Sequence, residues 1–169
     1  MALERRRRAS AALGSLIFLV VAPGVVAGLI PWSLTGWQME PASPAVRAAG
    51  IVLIALGVGF LLHSFARFVI EGLGTPAPVA PTERLVVGGV YRYVRNPMYL
   101  AVGATIVGQA LLLGQPELLA YAAAFGVVIL CFVRLYEEPT LARRFGESYE
   151  AYRRAVPGWL PRLTPWQGP

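Results

Sequence analysis

The chain has 169 residues, of which 56% are hydrophobic and only 14% are charged, whereas a soluble domain carries roughly 25% charged residues. Its single cysteine excludes an internal disulfide and a cysteine-based metal cluster, and a single histidine without any aspartate argues against a metal site. All basic residues are arginines that flank apolar segments, which favours membrane topology and lipid contact, so we expect no nucleic-acid partner.

The first predicted element is a membrane span over residues 11–30, an almost uninterrupted apolar run. At ~1.5 Å per residue this run is long enough for a hydrocarbon core of about 30 Å. Four arginines at positions 5–8 precede it. The run exceeds the apolar region of about 7–15 residues in a cleaved signal peptide, which favours a retained anchor. Pro23-Gly24 predicts a kink, and residues 31–44 are predicted to form a loop.

Three further spans are predicted over residues 46–70, 97–113 and 118–136. In the first of these, Gly50, Gly57 and Gly59 would allow close contact with a neighbouring helix. The last two spans are joined by a short turn at positions 114–116, so they must form an antiparallel hairpin. We therefore predict an all-α fold, a polytopic membrane helical bundle with about four transmembrane helices.

The arginines predict the orientation of this bundle. With the N-terminus in the cytoplasm, every arginine except Arg47 falls on the cytoplasmic side, as the positive-inside rule requires. An even number of spans then places both termini in the cytoplasm. We expect a multi-pass protein of the cell inner or plasma membrane, with the lipid bilayer as its partner.

The connection between the second and third spans contains a first candidate site. Three prolines predict an extended segment over residues 75–81, and Gly88-Gly89 permits positive φ and close backbone approach to a ligand. Asn96 followed by Pro97 is typical of a helix start. The positive end of that helix suits a carboxylate or a phosphate, although a helix that is merely well capped explains the same residues.

A second candidate site is the Glu137-Glu138 pair at the end of the fourth span. Burying adjacent carboxylates without partners is costly, so the pair indicates a receptor for a cationic group such as an amine or a sulfonium. Arg95 and Arg134 are candidate counter-charges. The alternative is a solvated helix end, although negative charge is unfavourable at a helix C-terminus.

His63, Arg67 and Glu71 are spaced i, i+4, i+8 and therefore share one face of the second span. An Arg–Glu pair that reaches toward the surface and a packed histidine would explain this pattern without any catalytic role. The candidate substrate-binding residues are nevertheless His63, Arg67 and Arg134.

The chain becomes amphipathic beyond Pro139. Apolar residues recur there at helical spacing, with charged residues on the other faces: Leu141, Phe145, Tyr149, Tyr152 and Val156. This pattern predicts a C-terminal amphipathic cytoplasmic helix. It would lie on anionic lipid headgroups, dock on the bundle as a lid, or do both.

Several ordered motifs resemble one family. They resemble the C-terminal half of the isoprenylcysteine carboxyl methyltransferases, a half that bacterial relatives and the phospholipid N-methyltransferases share. The matching residues are 72–78, 85–100, 137–138, 145–152 and 156–161. The resemblance covers roughly residues 71–161, whereas the first two spans match only as generic membrane helices.

The resemblance implies that S-adenosylmethionine binds on the cytoplasmic side. The family signature is an Arg-His-Pro-x-Tyr motif followed by a Glu-Glu pair, and the matching residues here are Arg95, Asn96, Pro97, Tyr99, Glu137 and Glu138. Asn96 replaces the family's histidine, so it can form a hydrogen bond but cannot titrate near neutral pH.

The resemblance further implies that the backbone of Gly89, Val90 and Tyr91 approaches the cofactor. The candidate catalytic residues are Arg95 and Glu138. Methyl transfer is an in-line displacement, so catalysis rests mainly on alignment and charge placement, and it requires no metal and no catalytic triad.

Together these features predict an integral-membrane S-adenosylmethionine-dependent methyltransferase. Its acceptor would be a lipophilic carboxylate, amine or thiol. We expect a single membrane domain over residues 1–169, with two spans in 1–70, the cofactor-binding region in 71–161 and a tail in 162–169. The alternatives are an NADPH-dependent enzyme similar to sterol reductases, and a non-enzymatic scaffold that binds lipid.

Overall fold

The computed structural model describes residues 13–14, 16–72 and 84–168, and in these ranges the secondary structure is helical, without strands. The arginines at positions 5–8 and the extended segment predicted over residues 75–81 lie outside the described residues. The all-α helical membrane fold predicted from the sequence is confirmed.

Helix α1 spans Leu16–Thr35. A π-helical turn over Val25–Leu29 follows Pro23-Gly24, the position of the predicted kink, and the Ile30 N–H donates to the Val25 carbonyl five residues back. The prediction that a loop begins at Pro31 is wrong, because Pro31 occupies the first turn of the next helical segment. Pro31 has no N–H to donate to the preceding turn, and the carbonyls there accept side-chain donors instead: Val26 from the Tyr121 hydroxyl at 2.8 Å and Ala27 from Gln109 Nε2 at 2.7 Å.

The remaining helices follow in chain order. Their bounds are Pro44–Arg67 for α2, Pro97–Leu113 for α3, Glu117–Phe132 for α4, Glu138–Phe145 for α5 and Glu147–Ala155 for α6. Further π-helical turns over Phe68–Gly72 and Val133–Glu137 extend α2 and α4. A 3₁₀ turn over Gly89–Arg92 precedes α3. The third span, predicted over residues 97–113, has the same bounds as α3.

Three helices are long and apolar enough to cross a membrane: Leu16–Thr35, Pro44–Glu71 and Glu117–Phe145. Helix α3 is also apolar but has only 17 residues, which at ~1.5 Å per residue fall somewhat short of a hydrocarbon core of about 30 Å. Large apolar side chains are exposed along these helices. The chain is accordingly a multi-pass membrane protein whose helix surfaces suit contact with lipid.

The described residues form two compact units. The first contains the described parts of residues 1–22, 62–97 and 139–169, and the second contains residues 23–61 and 98–138.

Glycines allow α2 and α3 to pack closely in the second unit. A Cβ added at Gly50 would lie 2.5 Å from the Leu112 backbone nitrogen, and one at Gly57 would lie 2.7 Å from the Ala101 carbonyl. The predicted close contact at these two glycines is confirmed. At Gly59 the prediction is wrong, because nothing lies within 4 Å of an added Cβ. Two residues correspond to about 200° around a helix, so Gly59 points away from α3.

The connection between α1 and α2 is attached to the end of α3 by polar contacts. The Glu40 N–H donates to the Leu113 carbonyl at 2.7 Å. The Arg47 guanidinium donates to the Glu40 carbonyl at 2.9 Å and to the Leu112 carbonyl at 3.3 Å. Arg47 therefore joins the connection to α3.

In the first unit the amphipathic segment forms two helices where the sequence predicts one. They meet at Gly146, whose φ of 52° favours glycine. Buried Tyr149, Tyr152 and Val156 form a core cluster, which partly buried apolar side chains cover: Leu85, Val87, Leu141, Ala142, Phe145, Ala155 and Trp166. The apolar face is thus occupied by protein, which favours a docked segment over one that presents this face to lipid.

Candidate functional site

The segment before α3 contains the two glycines that the sequence singles out. Gly89 has a φ of 57°, in the left-handed region, and it begins the 3₁₀ turn. Gly88 is extended, with φ −89° and ψ 171°. Positive φ is therefore confirmed at Gly89 and absent at Gly88.

Both glycines pack against the polar face of α2 and its π-helical extension, which we define as His63, Arg67 and Glu71. Arg67 and Glu71 form the i, i+4 ion pair that the sequence suggests. The Gly88 N–H donates to Oε2 of Glu71 at 2.9 Å. A Cβ added at Gly89 would lie 2.6 Å from Nε2 of His63. The close backbone approach expected at these glycines is thus made to the chain's own polar face.

Arg95 contacts the segment that follows α6. Its Nε donates to the Val156 carbonyl at 2.9 Å, and its Nη1 donates to the Tyr149 hydroxyl at 3.0 Å. Its backbone N–H donates to the Pro157 carbonyl at 2.9 Å. These contacts were not predicted from the sequence, which contains no periodic signal that relates positions so far apart.

Asn96 lies beside Arg95 and is 7% exposed. Its backbone N–H donates to the Gly158 carbonyl at 3.2 Å. Its side-chain Nδ2 is buried and has no hydrogen-bond partner among residues 16–72 and 84–168. A buried donor of this kind is costly unless a further group satisfies it.

Tyr99 connects the two sequence motifs within the second unit. Its hydroxyl donates to Oε2 of Glu137 at 2.8 Å. The sequence suggests Arg95 and Arg134 as counter-charges for the glutamate pair, and it identifies Tyr99 as a site residue without predicting this hydrogen bond. Arg134 is exposed on the π-helical turn that ends at Glu137, and Glu138 begins α5.

Helix α6 and the segment after it also hold the 3₁₀ turn and the residue that follows it. The Tyr152 hydroxyl donates to the Tyr91 carbonyl at 2.7 Å, and both residues are buried. Burial raises the pKa of the Tyr152 hydroxyl above its ordinary value, so this phenol stays protonated as a donor. The backbone N–H groups of Arg162 and Trp166 donate to the carbonyls of Tyr93 and Arg92, each at 3.0 Å.

Comparison with known proteins gives two matches. The family model described as phospholipid methyltransferase matches residues 45–148, a range that contains both motifs. Over 82 residues the chain is 36% identical to a protein-S-isoprenylcysteine O-methyltransferase of Schizosaccharomyces pombe (strain 972 / ATCC 24843). That alignment covers 47% of this chain and 34% of the relative, so the chain spans about a third of the relative's length. No solved structure matches the chain.

Proposed function

The chain belongs to the phospholipid methyltransferase family, and we propose that it is an integral-membrane methyltransferase that uses S-adenosylmethionine and acts on a lipophilic acceptor at the cytoplasmic face. The observation that carries the proposal is the hydrogen bond between Tyr99 and Glu137. It fixes an acidic group of the second motif through a residue of the first, as a site for a cationic ligand requires.

The residues fit the amino-acid part of this cofactor. Nδ2 of Asn96 is a buried donor without a partner in the described ranges, and a ligand carboxylate is the kind of acceptor that would satisfy it. Asn96 would therefore bind the cofactor's carboxylate, as the family's histidine would. This role needs a hydrogen bond and no proton transfer, so asparagine is chemically adequate.

Glu137 would bind the cofactor's amine. Its carboxylate is fixed in place by the Tyr99 hydroxyl before any ligand arrives, which lowers the entropic cost of binding. Glu138 follows as the first residue of α5 and would add negative charge toward a sulfonium. S-adenosylmethionine, when bound, supplies a methyl group on a sulfonium that is activated for in-line displacement.

Two other groups complete the proposed site. The backbone of Gly89, Val90 and Tyr91 would line the cofactor, and its 3₁₀ geometry is stabilised by the Tyr152 hydroxyl. Arg95 and Glu138 would be the catalytic residues, with alignment and charge placement as their contribution. Arg95 also holds the segment after α6 through Val156.

The acceptor would be a lipophilic carboxylate, amine or thiol that reaches the site from the bilayer. Both comparisons support this class, because one name refers to phospholipids and the other to S-isoprenylcysteine. The residues that would bind its polar group are His63, Arg67 and Arg134. Arg67 has a buried Nε without a partner in the described part of the chain, which gives the guanidinium a donor for such a group.

Cofactor binding by the purified protein in detergent tests the proposal. Thermal-shift and equilibrium binding measurements compare S-adenosylmethionine with NADPH. We expect saturable binding of S-adenosylmethionine alone. The Glu137→Ala variant should lose this binding and remain folded, whereas Glu117→Ala, at the start of the same continuous helix, should bind normally. Binding of NADPH instead, or equal S-adenosylmethionine affinity in both variants, would contradict the assignment.

A second measurement identifies the acceptor class. Cofactor with an isotopically labelled methyl group is incubated with the protein and a membrane lipid extract, and the labelled products are separated by mass spectrometry. We expect label in a lipid-soluble product that is missing with Glu137→Ala and present with Glu117→Ala. Cofactor binding without labelled product from any carboxylate, amine or thiol acceptor would count against the proposed reaction.

A further inference from the structure

The two carboxylate oxygens of Glu71 have different partners. Oε1 pairs with the Arg67 guanidinium, and Oε2 accepts the Gly88 N–H at 2.9 Å. Glu71 lies in the π-helical turn that extends α2, so it links a membrane helix to the backbone of the segment before α3. Such a link to a charged acceptor is stronger than one between neutral groups.

The two glycines permit this link. A Cβ added at Gly88 would collide with the side chains of Glu71 and Arg67, and one at Gly89 would lie 2.6 Å from Nε2 of His63. Gly89 also requires the left-handed conformation. The segment is thus shaped to lie directly on the polar face of α2.

The same segment is held at a second point. The Tyr91 carbonyl accepts the buried Tyr152 hydroxyl at 2.7 Å, and the Tyr91 ring packs edge-on against Phe68, with centroids 5.7 Å apart. Glu71 and Tyr152 therefore fix the two ends of the backbone from Gly88 to Tyr91. If either contact is removed, the 3₁₀ turn keeps only one of these two polar attachments.

We propose that Glu71 is a positioning residue, which holds the Gly88–Tyr91 backbone in the conformation that binds the methyl donor, while Arg67 orients its carboxylate. This inference rests on the proposed function, because it assigns the 3₁₀ turn to the cofactor site. Glu71 acts through the Gly88 N–H and touches neither reactant.

The test combines two substitutions with two readouts. Glu71→Ala removes the acceptor, whereas Glu71→Gln keeps an oxygen for the Gly88 N–H and loses the charge. Glu150→Ala is the matched control, because it removes another glutamate that pairs with an arginine, here Arg153, in a partly exposed ion pair on α6. Hydrogen exchange of the peptide that contains Gly88 reports the contact, and equilibrium binding reports affinity for S-adenosylmethionine.

For Glu71→Ala we expect faster exchange at Gly88 and an affinity for S-adenosylmethionine that falls at least about tenfold. This is the scale of a lost hydrogen bond to a charged group. Glu71→Gln should remain within about threefold, since its amide oxygen still accepts, though less strongly than a carboxylate. A purely structural role would instead lower the unfolding temperature and leave the affinity of the folded protein unchanged. Glu150→Ala should alter neither readout.

The outcomes separate this inference from the proposed function. Absence of S-adenosylmethionine binding in the wild-type protein would overturn the proposed function. Normal wild-type binding that persists in Glu71→Ala despite faster exchange would overturn the positioning role alone. If Glu71→Ala does not fold, Glu71→Gln decides. In Glu71→Ala, loss of exchange protection together with loss of affinity supports the inference, whereas retention of both, or a change in only one, overturns it.

Discussion

The phenol oxygen of Tyr99 lies 2.8 Å from Oε2 of Glu137, although the two residues are 38 positions apart in the chain. One belongs to the Arg95–Tyr99 motif at the start of α3, and the other is the first member of the glutamate pair. A neutral hydroxyl donor of the first motif therefore orients an acidic side chain of the second.

Removal of this donor should weaken both cofactor binding and the fold. We expect Tyr99→Phe to lower affinity for S-adenosylmethionine about tenfold and to reduce the free energy of unfolding by about 1–2 kcal/mol, because a hydrogen bond to a carboxylate is lost. Equilibrium binding and thermal unfolding measure the two effects. Tyr121→Phe is the matched control, since its hydroxyl donates to the Val26 carbonyl at 2.8 Å. Equal binding losses in both variants would contradict a specific role for Tyr99.

Substitutions at Asn96 test how the cofactor's carboxylate is held. Asn96→Asp keeps the size of the side chain and replaces the Nδ2 donor by a negative oxygen. We expect affinity for S-adenosylmethionine to fall by more than about tenfold through like-charge repulsion. Asn96→His restores the residue of the family motif and a ring donor, so binding should be retained. Equilibrium binding of S-adenosylmethionine is measured for both variants at the same fraction of folded protein. Unchanged affinity in Asn96→Asp would exclude the proposed contact between Asn96 and the cofactor's carboxylate.

Two glycines of α2 should respond oppositely to alanine. At Gly57 a methyl group would meet the Ala101 carbonyl at 2.7 Å and collide with the Thr105 hydroxyl, and such overpacking costs about 1–3 kcal/mol. At Gly59 nothing lies within 4 Å, so Gly59→Ala should be neutral or stabilising by up to about 1 kcal/mol through helix propensity. Thermal unfolding in detergent compares them. Equal shifts would contradict the described α2–α3 contact.

Tyr152 predicts a dependence of stability on alkaline pH. Burial raises the pKa of its hydroxyl in the folded protein, whereas the unfolded phenol titrates near its ordinary pKa of about 10. The folded state then binds the phenol proton more tightly than the unfolded state does. The contribution of Tyr152 to the free energy of unfolding is therefore complete below about pH 10 and is lost as pH rises through the higher folded pKa.

We therefore expect Tyr152→Phe to lose about 1 kcal/mol at pH 8, because the bond to the Tyr91 carbonyl is absent. Above about pH 10 the variant should lose stability less steeply than the wild-type protein. Unfolding temperatures between pH 8 and pH 11 provide the comparison. Tyr136→Phe, at an exposed position, serves as the control. Parallel pH profiles for Tyr152→Phe and wild type would contradict the buried, protonated phenol.

The predicted orientation can be tested with single cysteines in a Cys131→Ser background. Ser43 lies in the exposed α1–α2 connection and Thr164 in the exposed C-terminal segment. The arginine distribution predicts that a membrane-impermeant maleimide labels Ser43→Cys on intact cells, and labels Thr164→Cys only after permeabilisation. The reverse pattern would invert the topology and place the candidate site on the other face.

Local signals in the sequence predict much of this fold. Asn96-Pro97 and the turn at Gly114 bracket α3, because helix starts and stops are set by adjacent residues. The loop predicted from Pro31 is wrong, since the helix continues through a π-helical turn that hydropathy does not reveal. The predicted helix contact at Gly59 is wrong because the sequence shows only that both Gly57 and Gly59 are small, and the two glycines point in different directions.

The candidate site was harder to predict. The i, i+4 spacing reveals that Arg67 and Glu71 pair, but only the tertiary structure shows that their partner is the Gly88 backbone. The tethering of Arg95 by the segment after α6 likewise depends on a long-range contact. Motif resemblance identifies such residues without identifying what they touch, because a motif records residue types and not the neighbours that the fold brings to them.

The π-helical turns have a consequence for the history of the sequence. A π turn is commonly an α-helix with one additional residue, and two of the three in the described ranges contain glutamates with hydrogen-bonded roles, Glu71 and Glu137. One residue rotates all that follows by about 100° around the helix axis. Insertion, rather than substitution, would thus have turned these acids toward their partners. An alignment with a relative whose helices are regular should place single-residue gaps at Phe68–Gly72 and Val133–Glu137.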